Sequence, residues 1–142
     1  FGAGDLSNPV FVYTPDPSYA GTDSFTYTAT NDQGFVGNTS TITINIPTQI
    51  PVASSFNVST DVNVDVDFTM NGNDPNGLPL SYSVISGTNN GTYSLSDNVI
   101  SYTPNADFVG SDSLQYTASN GTYLSPAATI NIAVNAVVPV GE

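Results

Sequence analysis

Residues 13–31 read YTPDPSYAGTDSFTYTATN, and residues 102–120 read YTPNADFVGSDSLQYTASN. The second string begins 89 positions after the first (102 against 13). The echo continues after a one-residue slip: Ile42, Ile44 and Ile46 align with Ile130, Ile132 and Val134. Ile50-Pro51-Val52 then returns as Val138-Pro139-Val140. A period of this size is one small domain, so the chain reads as a window on a tandem array. The expected division is the C-terminal half of one repeat at 1–46 and a Pro-containing linker at 47–51. A complete repeat follows at 52–135, and 136–142 is read as a linker into a further repeat.

Outward from the echo, the pattern is that of strands. Val62, Val64, Val66, Phe68 and Met70 alternate with Asn63, Asp65, Asp67 and Thr69, the period of two that buries one face. The same alternation marks Phe56 and Val58, Leu80 to Val84, Ile100 and Tyr102, Leu114 to Ala118, and Ile130 to Val134, with a short strand around Tyr93 and Leu95. Asn71-Gly72, Asn76-Gly77, Asn90-Gly91 and Asn120-Gly121 supply residues tolerant of positive φ between these runs. No segment has a helical period. Seven short antiparallel strands in 52–135 predict an all-β, immunoglobulin-like sandwich whose inward residues meet as one core. Its expected inward set is Phe56, Val64, Val66, Phe68, Tyr82, Val84, Ile100, Tyr102, Leu114, Tyr116, Ile130 and Ile132. The first 46 residues hold only three such strands, near 9–14, 23–30 and 40–46, which leaves an apolar face in need of a cover.

The composition narrows function by exclusion. The chain has no Lys, Arg or His among its 142 residues, and its 12 acidic residues give a net charge of −12. Phosphate neutralisation requires cations, so nucleic acid is not a partner. Anionic membrane surfaces repel the chain for the same reason, and no apolar run approaches a membrane span. Charged residues are 8% of the chain against about 25% in ordinary domains, so the acidity reflects missing cations more than added carboxylates. Without His, Cys or Lys, the Ser–His and Cys–His nucleophile systems have no base to work with. A two-carboxylate glycosidase remains chemically conceivable, but no Asp pair is flanked by an aromatic platform. The expectation is a protein that is not an enzyme.

The order PVA at 51–53, NDPNGLPLSYSV at 73–84, NGTYSL at 90–95, ISYTPNADFVGSDSLQYTASNG at 100–121 and ATINIAVN at 128–135 resembles a known family. It is that of the tandem bacterial immunoglobulin-like (cadherin-like) repeats of large secreted or cell-surface, adhesin-type proteins. The resemblance implies β-sandwich repeats in tandem, used as a non-catalytic stalk, spacer or fibre module that is extracellular or at the cell surface. Its implied partners are neighbouring repeats of the same chain, other copies in a fibre, or a cell-surface ligand, with no direct membrane insertion. The alternatives are a calcium-dependent ligand- or carbohydrate-binding module and an accessory domain of a secreted enzyme.

Calcium is the one cofactor in question. It prefers several oxygen ligands, from carboxylates, Asn side chains and backbone carbonyls. Asp61, Asn63, Asp65 and Asp67 are expected along one strand face, followed by an oxygen-rich turn from Asn71 to Gly77. Family members often carry calcium near repeat junctions, and the residues matching such a position are Asp61, Asp74, Asn76, Asp107 and Asp112. Asn73 and Asn76 stand where relatives have a more acidic loop. The competing account is a solvated face plus turns that use Asn and Asp to hold the backbone. For Asp23 and Asp112, equivalent in the two repeats, that account has each carboxylate accepting nearby backbone N–H groups.

Overall fold

The computed structural model describes residues 10–141, all of them strand, turn or irregular, with no helix among them. Two compact units result, Phe1–Thr48 and Gln49–Glu142. In the first, β1 (Gly21–Tyr27) and β2 (Ser40–Ile46) pair antiparallel with Phe25 opposite Ile42 and Gly21 opposite Ile46. Residues 10–16 form no strand, against the expectation near 9–14, of which residue 9 lies outside the described residues.

The second unit holds β3 (Val52–Ala53), β4 (Phe56–Asp61), β5 (Val66–Thr69), β6 (Gly72–Asn73), β7 (Ser81–Ser86), β8 (Gly91–Ser96), β9 (Val99–Pro104), β10 (Gly110–Ser119) and β11 (Ala128–Asn135). One sheet runs β4-β11-β10-β7 and another β5-β9-β8, with β3-β6 a two-residue pair at the side. The sequence-based count of seven leaves out β3 and β6, whose two residues are too few to show a period. It also takes every pairing as antiparallel, whereas β4 and β11 run parallel, from Phe56 beside Ile130 to Asp61 beside Asn135. A long connection through the rest of the domain separates them, as parallel neighbours require.

The core lies between the two sheets. Phe68, Ile100 and Tyr102 come from the three-stranded sheet, and Leu114, Tyr116, Ile130, Ile132 and Val134 from the four-stranded one, all buried in one cluster. Phe56 meets Phe68 edge-on across the layers at 6.3 Å between ring centres, and Tyr82 leans on Tyr116 at 6.0 Å. Pro51 is also buried, so packing begins within the segment read as a linker. Val64 departs from the expected core and is 49% exposed. The cause is a turn in the middle of the predicted strand. Val64 N–H donates to Asp61 O (3.0 Å), Thr60 Oγ1 donates to Val64 O (2.8 Å), and Asn63 sits at a left-handed φ of 61°. The chain therefore changes sheets between Asp61 and Val66, and Val64 falls at the corner.

Gly91 shows why one turn residue must lack a side chain. A Cβ there would overlap the ring of Tyr102, which lies fully buried beneath it. Asn90-Gly91 thus closes over an aromatic ring as well as turning the chain.

Candidate functional site

The polar residues singled out by sequence fall into three separate places. Asp61 ends β4 and is exposed, its backbone carbonyl occupied by the corner turn. Asn63 and Asp107 form a reciprocal pair across the domain surface. Asn63 Nδ2 donates to Asp107 Oδ1 (3.0 Å), and Asp107 N–H donates to Asn63 Oδ1 (2.9 Å). Both residues are left-handed, with φ of 61° and 59°, so the bridge joins two strained turns. Asp65 is exposed in the corner, and Asp67 in β5 accepts from Ser101 Oγ at 2.6 Å. The corner removes the continuous strand face on which Asp61, Asn63, Asp65 and Asp67 were expected to line up.

Asp74 is buried at the second place. Its Oδ1 accepts from the N–H groups of Asn76 (2.9 Å) and Leu78 (3.1 Å), and its Oδ2 from Asn120 Nδ2 (2.8 Å). The Asn120 side chain does most to hold the carboxyl below its ordinary pKa, against the opposing effect of burial. Asn76 contributes its backbone to this turn, which the Asn71–Gly77 segment folds around Asp74.

The third place is Asp112, buried at the start of β10. It accepts from Asn89 N–H (3.0 Å), Asn90 N–H (2.9 Å), Ser113 N–H (2.9 Å) and the Tyr102 hydroxyl (2.9 Å). Burial pushes its pKa up, but the three backbone donors and the phenol together outweigh it and leave the carboxyl below its usual range. The same contact, added to burial, drives Tyr102 far above a normal tyrosine. Tyr116 completes the polar interior by donating its hydroxyl to Asn71 O (2.8 Å) and Ser54 O, which ties β10 to the segments flanking β3 and β6. Among the described residues, no buried side-chain N or O atom lacks a hydrogen-bond partner. Nor do any three acidic side chains gather in a group suited to a metal.

The first unit carries a smaller version of the third place. Tyr13 donates to Asp23 Oδ2 (2.8 Å) and Ser24 N–H to Asp23 Oδ1 (2.8 Å). The Tyr13 bond lowers the Asp23 pKa and raises that of Tyr13. A groove of about 570 Å³ lies beside them, lined by Tyr13, Thr14, Asp16, Ser18, Tyr19 and Asp23. Sequence reading weighed each aspartate against its neighbours in the chain and missed its tyrosine. The signal was present, because Tyr and Asp stand ten residues apart in both copies of the repeated string.

A family model described as "Bacterial Ig domain" matches residues 2–46 and 48–133. No curated protein matches the sequence. Among solved structures, the endo-fucoidan hydrolase MfFcnA4 from glycoside hydrolase family 107 is similar at 23% identity, with a TM-score of 0.52. The match covers 87% of this chain and 20% of that one. The endo-fucoidan hydrolase MfFcnA9 of the same family matches at 19% identity and a TM-score of 0.46, over 85% of this chain and 23% of that one. This chain therefore spans about a fifth of the length of these enzymes, and the likeness to the first is one of fold.

Proposed function

Since the chain belongs to the bacterial Ig domain family, we propose that it is a non-catalytic structural module. It serves as a spacer that holds parts of a larger extracellular or cell-surface bacterial protein apart under tension. The observation that carries this reading is the parallel pair of β4 and β11. After the short β3, the chain runs into β4 as its first long strand and leaves at the end of β11. Pulling the two ends apart slides these strands past one another, so the hydrogen bonds from Phe56–Ile130 to Asp61–Asn135 are strained together. An antiparallel terminal pair would open one bond at a time. The hydrogen bonds that Asp74, Asp112, Tyr102 and Tyr116 make within the domain support the same reading, since they tie strands and turns together and favour rigidity.

The test is single-molecule stretching of the chain held at its two ends. One sharp unfolding event is expected, lengthening the tether by roughly 260 Å, the extended length of Pro51–Asn135 less its folded span at about 3.5 Å per residue. Smooth yielding without a force peak would sink the spacer reading. A second reading is an accessory domain beside a catalytic unit. The likeness of this chain to a fifth of a fucoidan hydrolase favours it. The two are compatible in mechanism, and the identity of the domains joined to this one in the natural protein separates them.

A further inference from the structure

We propose that the outer edge of β8 is a self-association surface, at which two copies of this chain pair their β8 strands antiparallel and join their three-stranded sheets into one. The backbone there is open. Met70 N–H donates to Asn98 O (2.8 Å), so Asn98 and, every second residue on, Ile100 and Tyr102 turn their backbone groups toward β5. Val99, Ser101 and Thr103 turn theirs toward Ser96, Ser94 and Thr92 of β8. The backbone groups of Tyr93 and Leu95 are left aimed away from β9, and among the described residues no strand lies on that side. Their side chains share the core face with Tyr102 and Ile100, yet they are 39% and 44% exposed.

The other edges of the two sheets are guarded. β4 ends in Asp61, β5 carries Asp67, and β7 meets β10 through a shift of register that leaves Ile85 without a partner. Charges and bulges of this kind keep a sheet edge from pairing with another chain. β8 reads GTYSLS over Gly91–Ser96, with no charge, no proline and no shift of register against β9. Copies of a chain with net charge −12 and no cation repel one another, so an uncharged edge is where two can meet. The strand is also self-complementary. A two-fold axis at Ser94 sets Tyr93 of each copy opposite Leu95 of the other, each pair exchanging both backbone hydrogen bonds and matching an aromatic ring with an aliphatic chain. Thr92 then falls opposite Ser96, hydroxyl beside hydroxyl. The two Asp97 side chains stand at opposite ends, about 20 Å apart at about 3.3 Å per residue. Other registers are poorer. An axis at Tyr93 gives Leu95 only Gly91, whose carbonyl already accepts from Thr88 Oγ1 (2.8 Å), and an axis at Leu95 sets Asp97 against Tyr93.

The inference stands apart from the spacer reading, because association in solution is read without force. A six-residue edge buries far less than the roughly 1,200 Å² of a stable interface, so the pairing is weak and transient. The chain has no cysteine, so single cysteines introduced into the full chain report the register. In the paired strands the Ser94 Cα atoms lie about 4.5 Å apart, within disulfide reach, whereas Thr92 and Ser96 each lie about 13 Å from their own copies. The measurement is made at about 1 M NaCl, where charges are screened beyond about 3 Å. Ser94→Cys is expected to form a disulfide-linked dimer roughly tenfold or more faster than Thr92→Cys or Ser96→Cys alone, because pairing raises the effective concentration of its thiols. A mixture of those two variants should give the mixed dimer. Ser94→Asp sets two carboxylates face to face and should abolish the dimer seen by sedimentation of the cysteine-free chain, while Ser59→Asp on β4 leaves it intact. All four positions are exposed, so the folded unit tolerates the changes. Equal crosslinking rates in the three single-cysteine variants, or a dimer that survives Ser94→Asp, overturns the proposal. So does crosslinking of Ser94→Cys to a neutral Thr-Val peptide bearing one cysteine as fast as to itself, which would make the edge an acceptor of any strand.

Discussion

The hairpin of β1 and β2 and the hairpin of β10 and β11 are written in nearly the same words and paired in the same register, yet one is surface and the other core. The difference separates two levels of specification. Register, the glycine of positive φ and the Tyr–Asp link are local, and they form wherever the repeated string occurs. Burial belongs to the strands laid over the string, which only the second unit has among its described residues. The unpaired segment at residues 10–16 makes the same point, since its counterpart β9 is a strand because β5 and β8 lie on either side of it.

The sharpest way to break this comparison is to remove the same tyrosine from each half. Tyr116 is fully buried and bonded to two carbonyls, so Tyr116→Ala should cost on the order of 3–5 kcal/mol, as large aromatic truncations in cores do. Tyr27→Ala removes a residue 44% exposed and should cost under about 1 kcal/mol. Urea melts of the two variants measure both. Equal losses would mean that the first unit hides its face as completely as the second, and the contrast between halves would collapse.

A middle-sized effect comes from the repeated carboxylate. Asp112→Asn leaves buried donors facing an amide and should cost about 2–3 kcal/mol, whereas Asp23→Asn should leave the melt unchanged. The pH profile carries the same signature. The folded pKa of Asp112 lies below its unfolded value, so its contribution is complete above about pH 4 and is lost as the pH falls through the lower folded value. Tyr102 works from the other side. Its folded pKa is raised, so stability declines as the pH climbs past about 10. Thermal melts from acid to alkaline pH should therefore trace a plateau with two shoulders, and Asp112→Asn should shrink the acid one, leaving the part that Asp74 contributes. An acid limb unaltered by the substitution would remove Asp112 from the account.

Much of the fold was legible because alternation reports which residues face inward, and 11 of the 12 expected inward positions are buried or half-buried, Val64 being the exception. Two things were not. The alternation from Val62 to Met70 runs unbroken through a corner, and only Asn63, a residue that tolerates left-handed φ, hints at the turn. Periodicity also says nothing about which strand lies beside which, so the parallel partnership of β4 and β11 had no local signal. The polar interior was half-legible. Asp112 was recognisable as an acceptor of backbone N–H groups, but the Tyr102 hydroxyl reaches it across strands, and Asp74 finds Asn120 46 residues away.

The smallest expected effect is that of calcium, which sharpens the comparison between Asp112 and Asp23. Asp112 and Asp74 already receive four and three hydrogen bonds, and an ion would have to displace donors that are held in place by the backbone. Asp61 and Asp107 are exposed, and no three acidic side chains gather among the described residues. A ligand that binds only the folded state adds about 2.7 kcal/mol at 100 times its Kd, which moves the Tm of a domain this size by more than about 10 °C. Melting in millimolar calcium and then in chelator should instead give midpoints agreeing within about 1 °C, well below that scale. A rise of several degrees, with a heat of binding that disappears in Asp74→Asn, would place calcium in the second unit. A rise that survives Asp74→Asn and Asp112→Asn but is lost in Asp23→Asn would place it in the first, where Asp23 accepts from Tyr13 and Ser24 among the described residues, against four donors on Asp112.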